Sequence, residues 1–134
     1  MNWMKLRSTI VVVVLILSAL ACNFSASTAN IASAVMARDA AGSDQTDVFD
    51  PSDTFYCVVD LQNAPDDTTV RAVWTAVSAE GVDANTQIDE TTLTTGSGNL
   101  QFELSNPDLW PAGQYKVDLY LNDDLERTVE FSVQ

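Results

Sequence analysis

The residues with reactive potential are two cysteines, Cys22 and Cys57, and 19 Asp and Glu, set against 6 Lys and Arg and no His in 134 residues. A cysteine nucleophile needs a base or a cationic neighbour to hold it as thiolate, and His, the commonest such base, is missing. Cys57 lies in Phe55-Tyr56-Cys57-Val58-Val59-Asp60-Leu61, on the apolar side of an alternating run. There a thiol behaves as a small hydrophobe, so Cys57 is expected to pack in a core. Two cysteines without His cannot close a four-ligand zinc site. Asp44, Asp47, Asp50 and Asp53 recur at every third position, and Asp66-Asp67 and Asp123-Asp124 form pairs. Clustered carboxylates can gather calcium. None of these runs, however, has the alternating acids around a Gly that calcium loops use, and Asp favours turns for local reasons. Paired carboxylates also hydrolyse glycosides, but so short a chain leaves little room for a substrate cleft. The expectation is a protein that is not an enzyme and holds no metal or cofactor.

The net charge of −13 also argues against nucleic acid as a partner, because no basic surface is available to release counterions from phosphates. The charge is unevenly placed. Lys5 and Arg7 stand near the start, every acid lies at Asp39 or beyond, and between them runs an apolar stretch over residues 10–17 followed by Ser18-Ala19-Leu20-Ala21-Cys22. A basic start, a short apolar run and small residues form the architecture of a secretory signal peptide. The apolar run is shorter than the roughly 20 residues a membrane-spanning helix needs.

Ala19-Leu20-Ala21-Cys22 resembles the lipobox of bacterial lipoproteins, with Ala19 standing where that family usually has Leu. The resemblance implies cleavage before Cys22 and lipid attachment to its thiol, so that residues 1–21 are leader and the mature chain is tethered to a membrane outside the cytoplasm, on the periplasmic or cell-surface face. Several acyl chains hold firmly where one holds only marginally. Loss of Lys5 and Arg7 leaves 4 basic residues against 19 acids, −15, a surface that anionic headgroups repel. Residues 22–30 then read as the lipidated cysteine and a small, polar, flexible tether.

From residue 31 onward the pattern that must position everything else is period two. Phe55, Cys57, Val59 and Leu61 share one face, as do Val70, Ala72, Trp74 and Ala76. The stretches 99–104, 115–121 and 128–133 alternate in the same way. A short edge strand is expected near residues 87–94, and residues 31–38 fit a first edge strand better than a helix. Turn residues at Asn63-Ala64-Pro65-Asp66-Asp67, Thr95-Gly96-Ser97-Gly98, Ser105-Asn106-Pro107-Asp108 and Asn122-Asp123-Asp124 separate the runs. About seven strands, each with one wet and one dry face, predict an all-β antiparallel sandwich over residues 31–134.

Three landmarks refine this. Cys57, then Trp74, then Tyr115 two residues before the inward-facing Val117 follow the order of the Cys, Trp and corner Tyr in immunoglobulin-like domains. The chain resembles that family, with a fibronectin type III-like sandwich as the alternative, and Val117 replaces the cysteine that would bridge to Cys57. Phe49-Asp50-Pro51-Ser52-Asp53-Thr54, Trp110-Pro111-Ala112-Gly113-Gln114-Tyr115 and Phe131-Ser132-Val133 also look like an immunoglobulin-like domain of bacterial lipoproteins and secreted proteins, a group that implies no catalytic activity.

For contact with a partner, the aromatic candidates are Trp110, in a loop between Pro107 and Pro111, and Tyr56. Trp110 either caps the core or is exposed. Tyr56 and Val58 on one strand and Val73 and Val77 on another would form an outward apolar patch if their strands were neighbours. The expected function is a membrane-anchored binding or assembly module of the cell envelope; the alternative is a small-ligand or carbohydrate-binding surface module. An envelope protein or a carbohydrate is the expected partner class beside the membrane itself.

Overall fold

A computed structural model describes residues 28–134. The leader, Cys22 and most of the expected tether lie outside the described residues. The chain runs through β1 (Asn30–Ala37), β2 (Val48–Phe49), β3 (Phe55–Gln62), β4 (Thr68–Ala79), β5 (Thr86–Thr95), β6 (Gly98–Leu104), β7 (Gly113–Leu121) and β8 (Asp124–Val133). Two sheets pack face to face: a three-stranded sheet ordered β1-β3-β6 and a five-stranded sheet ordered β2-β8-β7-β4-β5. Every pairing is antiparallel except that of the two-residue β2 with β8.

The seven expected strands are all present. The segment expected at residues 31–38 is a strand rather than a helix, and β1 runs from Asn30 to Ala37, one position ahead of the expected bounds at each end. β2 is an addition. β5 is ten residues long, and its side chains are exposed on both faces for most of its length.

Alternation builds the interior. Phe55, Cys57, Val59 and Leu61 from one sheet meet Val70, Ala72, Trp74 and Ala76, and Tyr115, Val117, Leu119 and Leu121, from the other. At one end this interior becomes aromatic. Phe55 stacks on Trp110 at 4.6 Å between centroids and meets Phe131 edge-on at 4.8 Å, while Phe131 stacks on Tyr115 at 5.6 Å. Such pairs contribute about 0.5–1.5 kcal/mol each beyond the area they bury.

Turn chemistry fixes the register. The β7–β8 hairpin turns on Asn122 and Asp123, both left-handed at φ 47° and 71°, the two-residue geometry whose twist matches the flanking strands. Asn122 also secures the hairpin tip against the start of β4: its N–H donates to the Thr69 carbonyl at 2.9 Å and its side-chain oxygen accepts the Thr69 N–H at 3.1 Å. The strand after β4 stays on the β4 sheet instead of crossing over. In constant-type immunoglobulin domains the equivalent chain joins the opposite sheet, whereas the variable type also places a strand beside the third one.

Candidate functional site

The Trp110-Pro111-Ala112-Gly113-Gln114-Tyr115 segment carries most of the geometry at the aromatic end. The Trp110 N–H donates to the Pro51 carbonyl at 2.8 Å, and its indole Nε1 donates to the Asp53 carbonyl at 2.9 Å. The Asp50-Pro51-Ser52-Asp53 turn that offers these carbonyls is itself held by Asp53, whose Oδ2 accepts the Asp50 N–H at 2.8 Å and the Arg38 Nε at 3.1 Å. The Tyr115 hydroxyl donates to the Pro111 carbonyl at 2.5 Å, the return hydrogen bond that defines a tyrosine corner. Desolvation raises the Tyr115 pKa above its ordinary value. Gly113, at φ 155°, lies against the β4 backbone, where a Cβ would come within 2.2 Å of the Ser78 carbonyl oxygen. Only glycine fits that approach.

Trp110 is therefore the cap of the core. It is 7% exposed, with one face on Phe55 and its N–H already used, so it offers no aromatic platform to a ligand. Cys57, Trp74 and Tyr115 all lie inside. Burial pushes the Cys57 thiol up to about 12, which keeps it protonated and inert at neutral pH. Trp74 packs against Phe55 and Phe131, and its indole N–H is a buried donor without a hydrogen-bond partner.

The outward apolar patch expected of Tyr56, Val58, Val73 and Val77 does not form. Tyr56 and Val58 are on β3 in the three-stranded sheet, and Val73 and Val77 are on β4 in the five-stranded one, so the two pairs face opposite sides of the molecule. Each is also partly covered. Gly42 of the β1–β2 loop sits over Val58. Val73, only 9% exposed, lies in a cross-strand polar mat: Arg71 pairs with Glu90 at 3.4 Å and lies over the Tyr120 ring at 4.1 Å, and Thr128 donates to Asp118 at 2.6 Å. Periodicity sorts residues between the faces of a strand, but not strands between sheets.

Several of the acids have structural partners of their own. Arg38 bonds Asp53 and reaches Asp44 at 3.6 Å. Asp39 accepts the N–H groups of Ser43 and Asp44 at 3.1 and 2.8 Å, which lowers its pKa. Among the described residues no three potential metal ligands come together.

What remains open is the flank formed by β5. Ile88 is the extra residue of a bulge, since Trp74 pairs with Asp89 and Thr75 with Gln87. It lies, 37% exposed, in the lining of a mostly apolar depression of about 180 Å³, beside Val82, Asn106, Trp110, Pro111 and Tyr115. Leu109, 68% exposed, stands immediately before Trp110 in the same loop. Beyond the bulge, Asp89 to Thr95 pair with β4 without interruption, and among the described residues no strand pairs with their other edge. Composition drew attention to Trp110 and the valines instead. The only sequence signals for this flank were Ile88 and Leu93 in a threonine-rich stretch.

No family model matches the chain, and no curated relative does. Among solved structures, an immunoglobulin-like protein from Pseudomonas aeruginosa matches with a TM-score of 0.53 at 14% identity, covering 82% of this chain and 100% of that one. The fold is immunoglobulin-like. A DNA-bound alkylpurine DNA glycosylase, AlkC, from Pseudomonas fluorescens matches with a TM-score of 0.54 at 13% identity, and the likeness takes in 82% of this chain but only 31% of the glycosylase. A β-glucosidase from Listeria innocua gives 0.48 at 15% identity over 17% of its length. For the first two, at these identities, the likeness is one of fold alone. In the two enzymes it covers less than a third of the whole protein.

Proposed function

We propose that this chain is a bacterial lipoprotein: a non-catalytic immunoglobulin-like domain, lipid-anchored outside the cytoplasm, that binds a partner or serves assembly at the cell envelope. The observation that carries the reading is the joining of Ala19-Leu20-Ala21-Cys22 to an immunoglobulin-like sandwich whose first strand starts at Asn30, eight residues past the cysteine. The point of entry supports it. Thr28 donates to the Asn63 carbonyl at 2.9 Å, and the Asn63 side chain donates to that of Asn30 at 3.2 Å. The chain thus joins the sandwich at the end that also carries the acidic turns Asp66-Asp67 and Asp123-Asp124. On a lipid tether those carboxylates face the headgroups and hold the sandwich off the surface. The Trp110 end then points away, at least one strand length from the tether, about 25 Å for the eight residues of β1.

Replacing Cys22 with Ala tests the anchor. The variant is expected to lose acylation and to leave the washed membrane fraction or remain unprocessed. Unchanged fractionation with the leader removed would contradict it. The carbohydrate-platform alternative loses its best candidate residue with Trp110 buried.

A further inference from the structure

The geometry points to the β5 edge as a strand-addition site for an extended, cationic segment of another polypeptide. This deepens the binding reading above and rests on it. A sheet edge presents a row of unused N–H and C=O groups, and proteins that do not use their edges blunt them. The other edges among the described residues are shorter, stitched or more heavily charged: β8, paired with β2 only at Ser132 and Val133, carries Asp124, Glu126, Arg127 and Glu130 before that point. β2 is two residues long. β1 has a bulge between Ile31 and Ser33, Arg127 holds its Ile31 and Ala32 carbonyls at 2.9 and 3.3 Å, and the Thr46 N–H donates to its Met36 carbonyl at 3.1 Å. β6 is seven residues long. β5 has ten, no proline and no lysine, and from Asp89 to Thr95 its ladder is regular.

Strand addition draws affinity from main-chain hydrogen bonds and specificity from side-chain pockets. Both parts are at hand: the straight seven-residue run, and at its start the depression between Ile88, Val82, Trp110 and Pro111, which suits one large apolar side chain. Charge selects the partner. Arg71 and Gln87 reach the Glu90 carboxylate at 3.4 and 3.3 Å, but the exposed Asp89 beside it has no side-chain partner, on a protein of net −13. Opposite charges across a strand pair stabilise it and like charges oppose it. A second copy of this chain, itself of net −13, would bring like charge to this edge. A Lys or Arg on the incoming strand fits instead.

The test pans full-length protein in detergent micelles against a displayed library of random nine-residue peptides. Enrichment of alternating β-branched or aromatic sequences that carry Lys or Arg and one large apolar residue is expected. The strongest peptide, made synthetically, should move the amide signals of Asp89 to Thr95 and protect alternate amides there from exchange. Asp89→Lys should weaken it at least tenfold with the circular dichroism unchanged, and Ile88→Asp should weaken it by a similar factor. No enrichment, binding indifferent to Asp89→Lys, shifts centred on β1 or β6, or a dimer formed through β5 in sedimentation would each overturn the proposal. Membrane retention of the same protein is scored separately through Cys22→Ala, so a failed anchor and a failed edge give different results.

Discussion

Along one flank of the sandwich β1 meets β8, and the gap between the sheets is laced: Arg127 reaches across to the β1 carbonyls, Arg38 ties the β1 end to Asp53 and the Val48 carbonyl, and β2 adds a parallel turn of sheet. Along the other flank β5 overhangs the narrower sheet with both faces wet. Both flanks are built of ordinary strands. The difference lies in where the few cations are placed. Of the four basic residues among the described residues, Arg38 and Arg127 serve the laced flank, while Arg71 and Lys116 pair with acids on the outer face of the five-stranded sheet. On the β5 flank Arg71 is engaged by Glu90, which leaves Asp89 as an exposed carboxylate with no side-chain partner among the described residues.

Substitutions should separate the two flanks by stability. Gly113→Ala, in the segment that closes the aromatic end, should have the largest effect, a loss of about 3 kcal/mol or more in denaturant unfolding. It combines a forbidden backbone conformation with a clash against the β4 backbone. A loss under about 1 kcal/mol would mean the β4–β7 approach is looser than described. Arg127→Ala should cost about 1 kcal/mol, the ordinary net value of an intramolecular hydrogen bond, because the exposed Arg127 charge is screened by solvent. It should also speed exchange in β1 before any other strand. Cys57→Val is close in shape to the buried thiol and should shift stability by less than about 1.5 kcal/mol. In the unaltered protein Cys57 should resist thiol reagents at pH 8 until the chain unfolds, because its folded pKa of about 12 lies above the ordinary 9.0. By the same shift, the thiol's contribution is intact below pH 9 and declines as pH rises from 9 toward 12, where only the unfolded thiol ionises. Asp89→Asn should leave stability within about 0.5 kcal/mol of the original, as a substitution at an exposed site without partners does. Measurable destabilisation there would show that the open flank is part of the structural frame.

The two flanks also differed in how well the sequence disclosed them. A strand with one dry face writes itself as alternation, so β3, β4, β7 and β8 were plain, as was the Asn122-Asp123 turn. The order Cys57, Trp74, Tyr115 pointed to the immunoglobulin-like fold for the same reason: each residue occupies an inner position. β2 left no trace, since two residues have no period. β5 is longer than its sequence pattern shows, because a strand wet on both faces does not alternate and the bulge at Ile88 breaks what pattern there is. The supposed patch of Tyr56, Val58, Val73 and Val77 failed because sheet membership is set by crossovers between strands, which no local pattern records. The role of Gly113 was hidden likewise, since its close neighbour, the Ser78 carbonyl, is 35 residues away in the chain.

Residue-resolved amide hydrogen exchange on the full-length protein tests the contrast between the flanks most directly. The amides of Arg38 and Thr46, which donate to Asp44 and Met36, should be protected, while alternate amides from Asp89 to Thr95 exchange nearly as fast as in an unfolded chain. Uniform protection along β5, matching that of the central strands β4 and β7, would contradict an open edge.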